Sequence, residues 1–188
     1  MNKLKIGISG NIGSFSEEAA KYYCQRNSIK NFDLSYLISA DKTLSSLEKE
    51  KIDKAIFPIE NSNGGIVEEA IYAISRYLFE IENIFEIDIQ HCLLVQRGVK
   101  AADIKTIASH PQALKQCKMY LKKEWKNLKL QEYSDTASAA KDLCNGVLSS
   151  DTAVIAPKIC KKLYKLDIIG EGIQDLKFNF TTFVVAKK

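Results

Sequence analysis

Hydroxyl, amide and glycine residues gather at four places in this chain: Gly10-Asn11-Ile12-Gly13-Ser14-Phe15-Ser16, Asn61-Ser62-Asn63-Gly64-Gly65, Ser109-His110-Pro111-Gln112 and Ser134-Asp135-Thr136-Ala137-Ser138. Each lies between an apolar run and a helical pattern, so each reads as a strand-to-helix junction. Ser14 with Glu17, and Ser109 with Gln112, have the spacing of a capping box. A helix start leaves backbone N–H groups unpaired and carries a partial positive charge, which attracts anions. One such start needs no ligand to explain it, because every helix needs a cap. Four of them at the carboxyl ends of strands, where open α/β sheets bind ligands, point to a site for a small carboxylate-bearing molecule.

Other chemistry-bearing residues read as structural. His110 precedes Pro111 and marks a helix start, while His91 leads an apolar strand and reads as a core histidine. Glu60, at a strand end after Pro58, reads as a hydrogen-bond partner for its junction. The cysteines Cys24, Cys92, Cys117, Cys144 and Cys160 are odd in number, widely spaced and without a CxxC pair, which excludes a disulfide framework or zinc site and implies reduced thiols. Lys122, Lys123, Lys126 and Lys129 recur at near-helical spacing and read as a solvated helix face, and the net charge of +4 is too mild for a nucleic-acid footprint. The N-terminus has no signal-peptide pattern, and no apolar run approaches the ~20 residues that span a bilayer. A cytoplasmic, soluble protein without nucleic-acid or membrane partners is the expectation.

The elements that must position these residues alternate between strand and helix. Strands are predicted at Lys3–Ser9, Phe32–Ile38 and Lys54–Ile59, with helices at Glu17–Arg26, Lys42–Lys51 and Ile66–Phe79. Ile66, Ala70, Ile74 and Leu78 fall on one face of the last helix. From Phe85 to Gln90 apolar residues alternate with polar ones, and His91–Val95 is uniformly apolar, as for a strand entering a core. Strands follow at Ile104–Ala108, Leu128–Tyr133, Ala153–Ala156, Ile168–Ile169 and Phe180–Val185. Helices are predicted at Gln112–Glu124 and at Asp135–Asn145, the latter closed by Gly146. Such alternation implies mainly parallel sheets covered by helices, an α/β fold.

Taken with their flanks, the junctions resemble the prephenate dehydratase family along nearly the whole chain. Gly10-x-x-Gly13-Ser14-Phe15-Ser16-Glu17 is similar to its N-terminal glycine motif, with Asn11 where a proline is common. Pro58-Ile59-Glu60-Asn61-Ser62 followed by Gly65, and His91–Val95, match next. Ser109-His110-Pro111-Gln112-Ala113-Leu114-x-Gln116-Cys117 is the most specific match. Asp135–Ala140, Ala153–Ala156 and Asn179-Phe180-Thr181-Thr182-Phe183 complete the family's order.

The resemblance implies two α/β lobes with a cleft between them, like type 2 periplasmic binding proteins: one of about residues 1–80 and 176–188, the other of about 81–175. It also implies a homodimer, no metal or organic cofactor, and conversion of prephenate, a dicarboxylate, to phenylpyruvate with loss of carbon dioxide and water. The hydroxyl-protonating role falls on Thr181. Ser14, Asn61, Ser62, Thr136, Ser138 and Asn179 would bind substrate, with Phe15 and Phe183 as apolar walls. Two features depart from the family: Thr182 stands where the motif has arginine, and only five residues follow Phe183, so the regulatory ACT domain is expected to be absent. Two other readings remain at this level. A non-aromatising prephenate decarboxylase is disfavoured by the retained Thr181, and a non-catalytic metabolite-binding module is favoured by the missing arginine.

Overall fold

The computed structural model describes residues 3–188, which divide into two α/β units: the chain up to Asp88 with Phe180–Lys188, and Ile89–Asn179. The first unit contains β1 (Leu4–Ile8), α1 (Phe15–Arg26), β2 (Phe32–Tyr36), α2 (Ala40–Glu48), β3 (Lys54–Asn61), β4 (Gly65–Ile66), α3 (Glu68–Ile74) and β5 (Glu80–Asp88). The second contains β6 (His91–Val95), β7 (Thr106–Ser109), α4 (Pro111–Gln116), α5 (Lys118–Glu124), β8 (Lys129–Glu132), α6 (Thr136–Cys144), β9 (Thr152–Pro157), α7 (Ile159–Tyr164) and β10 (Asp167–Glu171). The last strand, β11 (Phe180–Lys187), returns to the first unit.

In the first unit the strand order is β2-β1-β3-β11-β5, with β4 added to β3. β1, β2 and β3 run parallel, and β11 is antiparallel to both β3 and β5. Successive strand residues face opposite sides of a sheet. Ala55, Phe57, Val184 and Ala186 therefore pack with the buried residues of α2 and α3. On the other side Phe183 stacks on Phe85, and Phe85 in turn on Tyr22 and Tyr23 of α1. The β3–β11 ladder slips between Thr182 and Phe183, opposite Pro58, which has no N–H to donate.

In the second unit the order is β10-β6-β9-β7-β8, with β7, β8 and β9 parallel and β6 antiparallel to its neighbours. Ala139, Ala140, Leu143 and Cys160, on α6 and α7, cover Leu94, Val154 and Ala156. Leu114 and Leu121, on α4 and α5, cover Leu93, Ile107 and Ile155.

Several elements differ from the sequence reading. The helix expected at Ile66–Phe79 shrinks to α3, where Ala70 and Ala73 are buried while Ile66 and Leu78 are 65% and 94% exposed. β5 starts at Glu80 rather than Phe85 because its whole length pairs with β11, so the chain leaves the first unit after Asp88 and returns at Phe180, not near 80 and 175. The helix expected at Gln112–Glu124 breaks at Cys117. The Asp175 carboxylate accepts from the N–H groups of Met119 and Tyr120 at 2.8 and 2.9 Å, capping α5 as a separate helix. The alternation of Phe85, Ile87 and Ile89 holds: all three are buried, and Glu86, Asp88 and Gln90 are exposed.

Candidate active site

In the first unit, pairing of Ile8 with Ile56 in the parallel β1 and β3 puts the carboxyl ends of both strands at one edge. The antiparallel β11 brings Thr181 opposite Asn61 at that same edge. The start of α1 follows β1 there. Its N-cap is Ser14, whose hydroxyl accepts from the Glu17 N–H at 3.3 Å, as the capping-box spacing implied. Two glycines permit this turn. A Cβ on Gly10 would lie 2.4 Å from the Ser14 hydroxyl, and Gly13 has a φ of 85°. Glu17 is 5% exposed. Burial disfavours its charge, but the Gly13 N–H and the Lys21 ammonium outweigh that and hold its carboxyl below the usual 4.5. Phe15 opens the helix, half-buried.

The Asn61 segment is not a helix start. Asn61 Oδ1 accepts from the N–H groups of Asn63 and Gly64 at 3.0 and 2.8 Å, turning the chain into the β3–β4 hairpin. Val67, the residue before α3, makes no side-chain cap. This turn fixes the amide: with its oxygen occupied by two donors, Nδ2 must face the other way. There it donates to the Thr181 hydroxyl oxygen at 2.9 Å and to the Phe180 carbonyl at 3.1 Å. Ser62 completes the clamp, its N–H donating to the Phe180 carbonyl and its hydroxyl accepting from the Phe180 N–H. Thr181 is 9% exposed. Since its oxygen accepts from Asn61, its O–H is left to donate to a third group. Phe183 is 1% exposed and belongs to the aromatic stack on Phe85.

Thr182 points to the opposite face of the sheet from Thr181. It sits between its ladder partners Glu60 on β3 and Glu86 on β5, and its hydroxyl donates to Glu86 at 3.2 Å.

In the second unit, pairing puts Ser109, Glu132, Pro157 and the antiparallel His91 at one sheet edge. Asp135 caps α6, accepting from the Ser138 N–H at 2.8 Å and from the Ser138 hydroxyl. Thr136, the first helical residue, is half-buried. The expected Ser109 cap is corrected: the N-cap of α4 is His110, whose Nδ1 accepts from the Gln112 N–H, and Pro111 takes the first helical position. Ser109 is fully buried, donating to the Ile155 carbonyl at 2.7 Å.

Asn179 is also fully buried. Its amide donates to the Ile89 carbonyl at 3.1 Å and to Gln116 Oε1 at 3.2 Å, and Gln116 Oε1 lies 2.7 Å from His91 Nε2. An amide oxygen only accepts, so His91 carries its proton on Nε2. Burial pushes the His91 pKa down from 6.5 while the Gln116 bond raises it, and the ring stays neutral. Sequence reasoning misses the place of Gln116 in this chain of bonds; its only signal is its position within the Ser109–Cys117 motif.

The sequence model of the prephenate dehydratase family matches residues 6–188. Arogenate dehydratase 2 of Petunia hybrida is 33% identical over 187 residues, covering 98% of this chain and 45% of that protein. The bifunctional chorismate mutase/prephenate dehydratase of Buchnera aphidicola is 30% identical, covering 94% of this chain and 45% of that protein. The chain thus spans about half the length of these curated relatives. Among solved structures, prephenate dehydratase from Arthrobacter aurescens, in complex with L-Phe, superposes with a TM-score of 0.88 at 23% identity, covering 98% of this chain and 60% of that one. Together with the glycine turn, the Asn61–Thr181 pair and the Ser109–Cys117 segment, this match establishes that the chain belongs to the prephenate dehydratase family.

Proposed function

We propose that the chain is a carbon–oxygen lyase that converts prephenate to phenylpyruvate with loss of carbon dioxide and water, a step of phenylalanine synthesis. The observation that carries this reading is the Asn61–Thr181 hydrogen bond, supported by the family match. The reaction expels the ring hydroxyl and fragments the ring carboxylate, and aromatisation drives both. Protonating the leaving hydroxide is the step a protein group must assist. Thr181, held as an acceptor by Asn61, presents its O–H in a fixed direction and is the proton donor. A threonine hydroxyl is a weak acid, so alignment rather than acidity supplies its effect.

Ser14, Asn61 and Ser62 position substrate in the first unit, with Phe15 as an apolar surface. Phe183 contributes by holding Phe85 and the sheet in place. In the second unit Thr136 and the N–H groups of Thr136 and Ala137, at the start of α6, are carboxylate donors, the Ser138 N–H being held by Asp135. Ser138 completes the α6 cap, and Asn179 braces the strand that leads to Thr181. Arogenate, the amino analogue of prephenate, is the second reading, because relatives at 33% identity carry its name. The protein acts as a cytoplasmic homodimer; no helix among the described residues is long and apolar enough to cross a membrane.

The test is an assay of purified protein with prephenate and, separately, arogenate, following phenylpyruvate, phenylalanine and carbon dioxide. Phenylpyruvate formation that disappears in Thr181→Ala and returns in part with Thr181→Ser supports the reading. Carbon dioxide without an aromatic product points to a non-aromatising decarboxylase, and saturable binding without turnover to a sensor. Light scattering on the eluted protein checks the dimer.

A further inference from the structure

The lysine-rich segment after α4 has a second feature that its charge alone does not explain. α5 carries Lys118 and Lys122 one turn apart, and Lys126 lies in the turn that follows the helix. The expected continuous helical face is therefore interrupted: α5 ends at Glu124, and Lys129 opens β8. Beneath Lys118, Lys122 and Lys126 lies a recess of about 330 Å³. Leu121, Trp125, Leu128 and Leu130 supply its apolar surface, Asn127 also lines it, and no acidic residue does.

Among the described residues, none of these three lysines makes a salt bridge, whereas neighbouring Lys123 pairs with Glu124 at 2.9 Å. Like charges one helical turn apart repel. The one carboxylate anchored at the start of α5, Asp175, is taken up by the Met119 and Tyr120 N–H groups and pairs with none of the three lysines, so three ammonium groups stand over an apolar hollow without an ion-pair partner. The hollow matches the apolar body of a small ligand, and the lysines match an anionic end. A larger recess of about 520 Å³ shares Trp125, Lys126 and Leu128 but has Glu124 in its wall and lacks Lys118 and Lys122. The smaller recess is the one that selects for negative charge.

We propose that this recess, set in the second unit and built from α5, the turn after it and β8, is a binding site for a small aromatic carboxylate. The aromatic ring lies against Trp125 and the leucines, and the carboxylate faces Lys118, Lys122 and Lys126. The site uses none of the residues assigned to the lyase reaction, so it stands or falls independently of that assignment.

Trp125 is the chain's one tryptophan, so its fluorescence reports this site directly. The probe is 3-phenylpropionate, titrated at constant ionic strength with selective indole excitation. A saturable change at millimolar concentration is expected, about what a ligand of roughly eleven non-hydrogen atoms supports. The uncharged 3-phenylpropanamide should bind at least about tenfold more weakly, and a Lys118→Gln/Lys122→Gln double variant should lose about tenfold or more for the acid alone. Both lysines are exposed, so the variant should keep the wild-type circular dichroism. A third variant, Leu130→Glu, places a carboxylate in the wall and should abolish the response. The proposal is overturned if acid and amide bind alike, or if the double variant binds the acid as wild type does. Binding seen by calorimetry with no change at Trp125 would also overturn it.

Discussion

Arginine at position 182 should stabilise this protein without speeding its chemistry. Thr182 lies between Glu60 and Glu86 on neighbouring strands, on the sheet face opposite Thr181. Two strand spacings separate the glutamates by about 9.6 Å, so in water at physiological salt their mutual repulsion is only about 0.1 kcal/mol. A guanidinium placed between them makes one or two exposed cross-strand ion pairs, each about 0.3–0.7 kcal/mol. Loss of the exposed Thr182–Glu86 hydrogen bond costs about 0.5 kcal/mol, so with both pairs formed the net gain is about 0.1–0.9 kcal/mol, a rise in Tm of up to about 4 °C for a chain of this size. Calorimetric scans of wild type and Thr182→Arg should show that rise at about 0.01 M salt, where the Debye length is about 30 Å, and lose most of it at about 1 M, where it is about 3 Å. Turnover should stay within about threefold, because position 182 cannot reach a substrate placed against Thr181 without crossing the sheet. A tenfold gain in turnover would refute the facing argument, and a salt-independent Tm gain would refute the ion-pair argument.

Asn61→Asp removes the amide donor and sets an acceptor against Thr181; the hydroxyl then spends its proton on the new carboxylate, and kcat should fall by about 100-fold or more with little change in fold, checked by steady-state kinetics and circular dichroism. Asp175→Ala orphans the Met119 and Tyr120 N–H groups and should cost about 1 kcal/mol, seen as a Tm lower by about 2–4 °C. The Glu17 carboxyl titrates below 4.5 in the folded state, so its ionised form contributes stability above that pH that is lost as pH falls through the folded value. Glu17→Gln should therefore be less stable than wild type in urea melts near neutral pH, with the gap closing in acid. His91 titrates below 6.5 when folded, so stability should fall as pH drops through about 6.5, and His91→Gln should flatten that slope.

The features legible in the sequence are those written in neighbouring residues. Phe85, Ile87 and Ile89 alternate with polar partners, and a half-buried strand has no other way to satisfy its two faces. Ser14 and Glu17 stand three apart, the spacing of the cap of α1, and the glycines that permit its turn lie one and four residues before Ser14. The same rule misassigns Ser109, because Pro111 fills the first helical position and moves the cap to His110, freeing the Ser109 hydroxyl to turn inward to Ile155. At Asn61 the following Gly64 and Gly65 resemble a helix approach. They instead form a hairpin whose second strand, two residues long, is too short to show any period.

The bonds that give the candidate site its direction are all between residues distant in sequence. Thr181 meets Asn61 only because β11 inserts antiparallel between β3 and β5, and strand-helix alternation carries no information about where a final strand enters a sheet. Asn179 shows the consequence most clearly. By residue type it is a ready substrate contact, yet its side chain is fully buried and joins Ile89 to Gln116, which in turn meets His91. A buried amide left unbonded costs about 1–3 kcal/mol, so this position demands a partner on each side whatever the ligand does. Two residues later in the same segment, Thr181 spends its oxygen on the protein and keeps its proton for donation. The two residues have similar polarity and lie close in sequence, and only the long-range pairing separates the one whose side chain is spent within the protein from the one whose hydroxyl proton is left to donate.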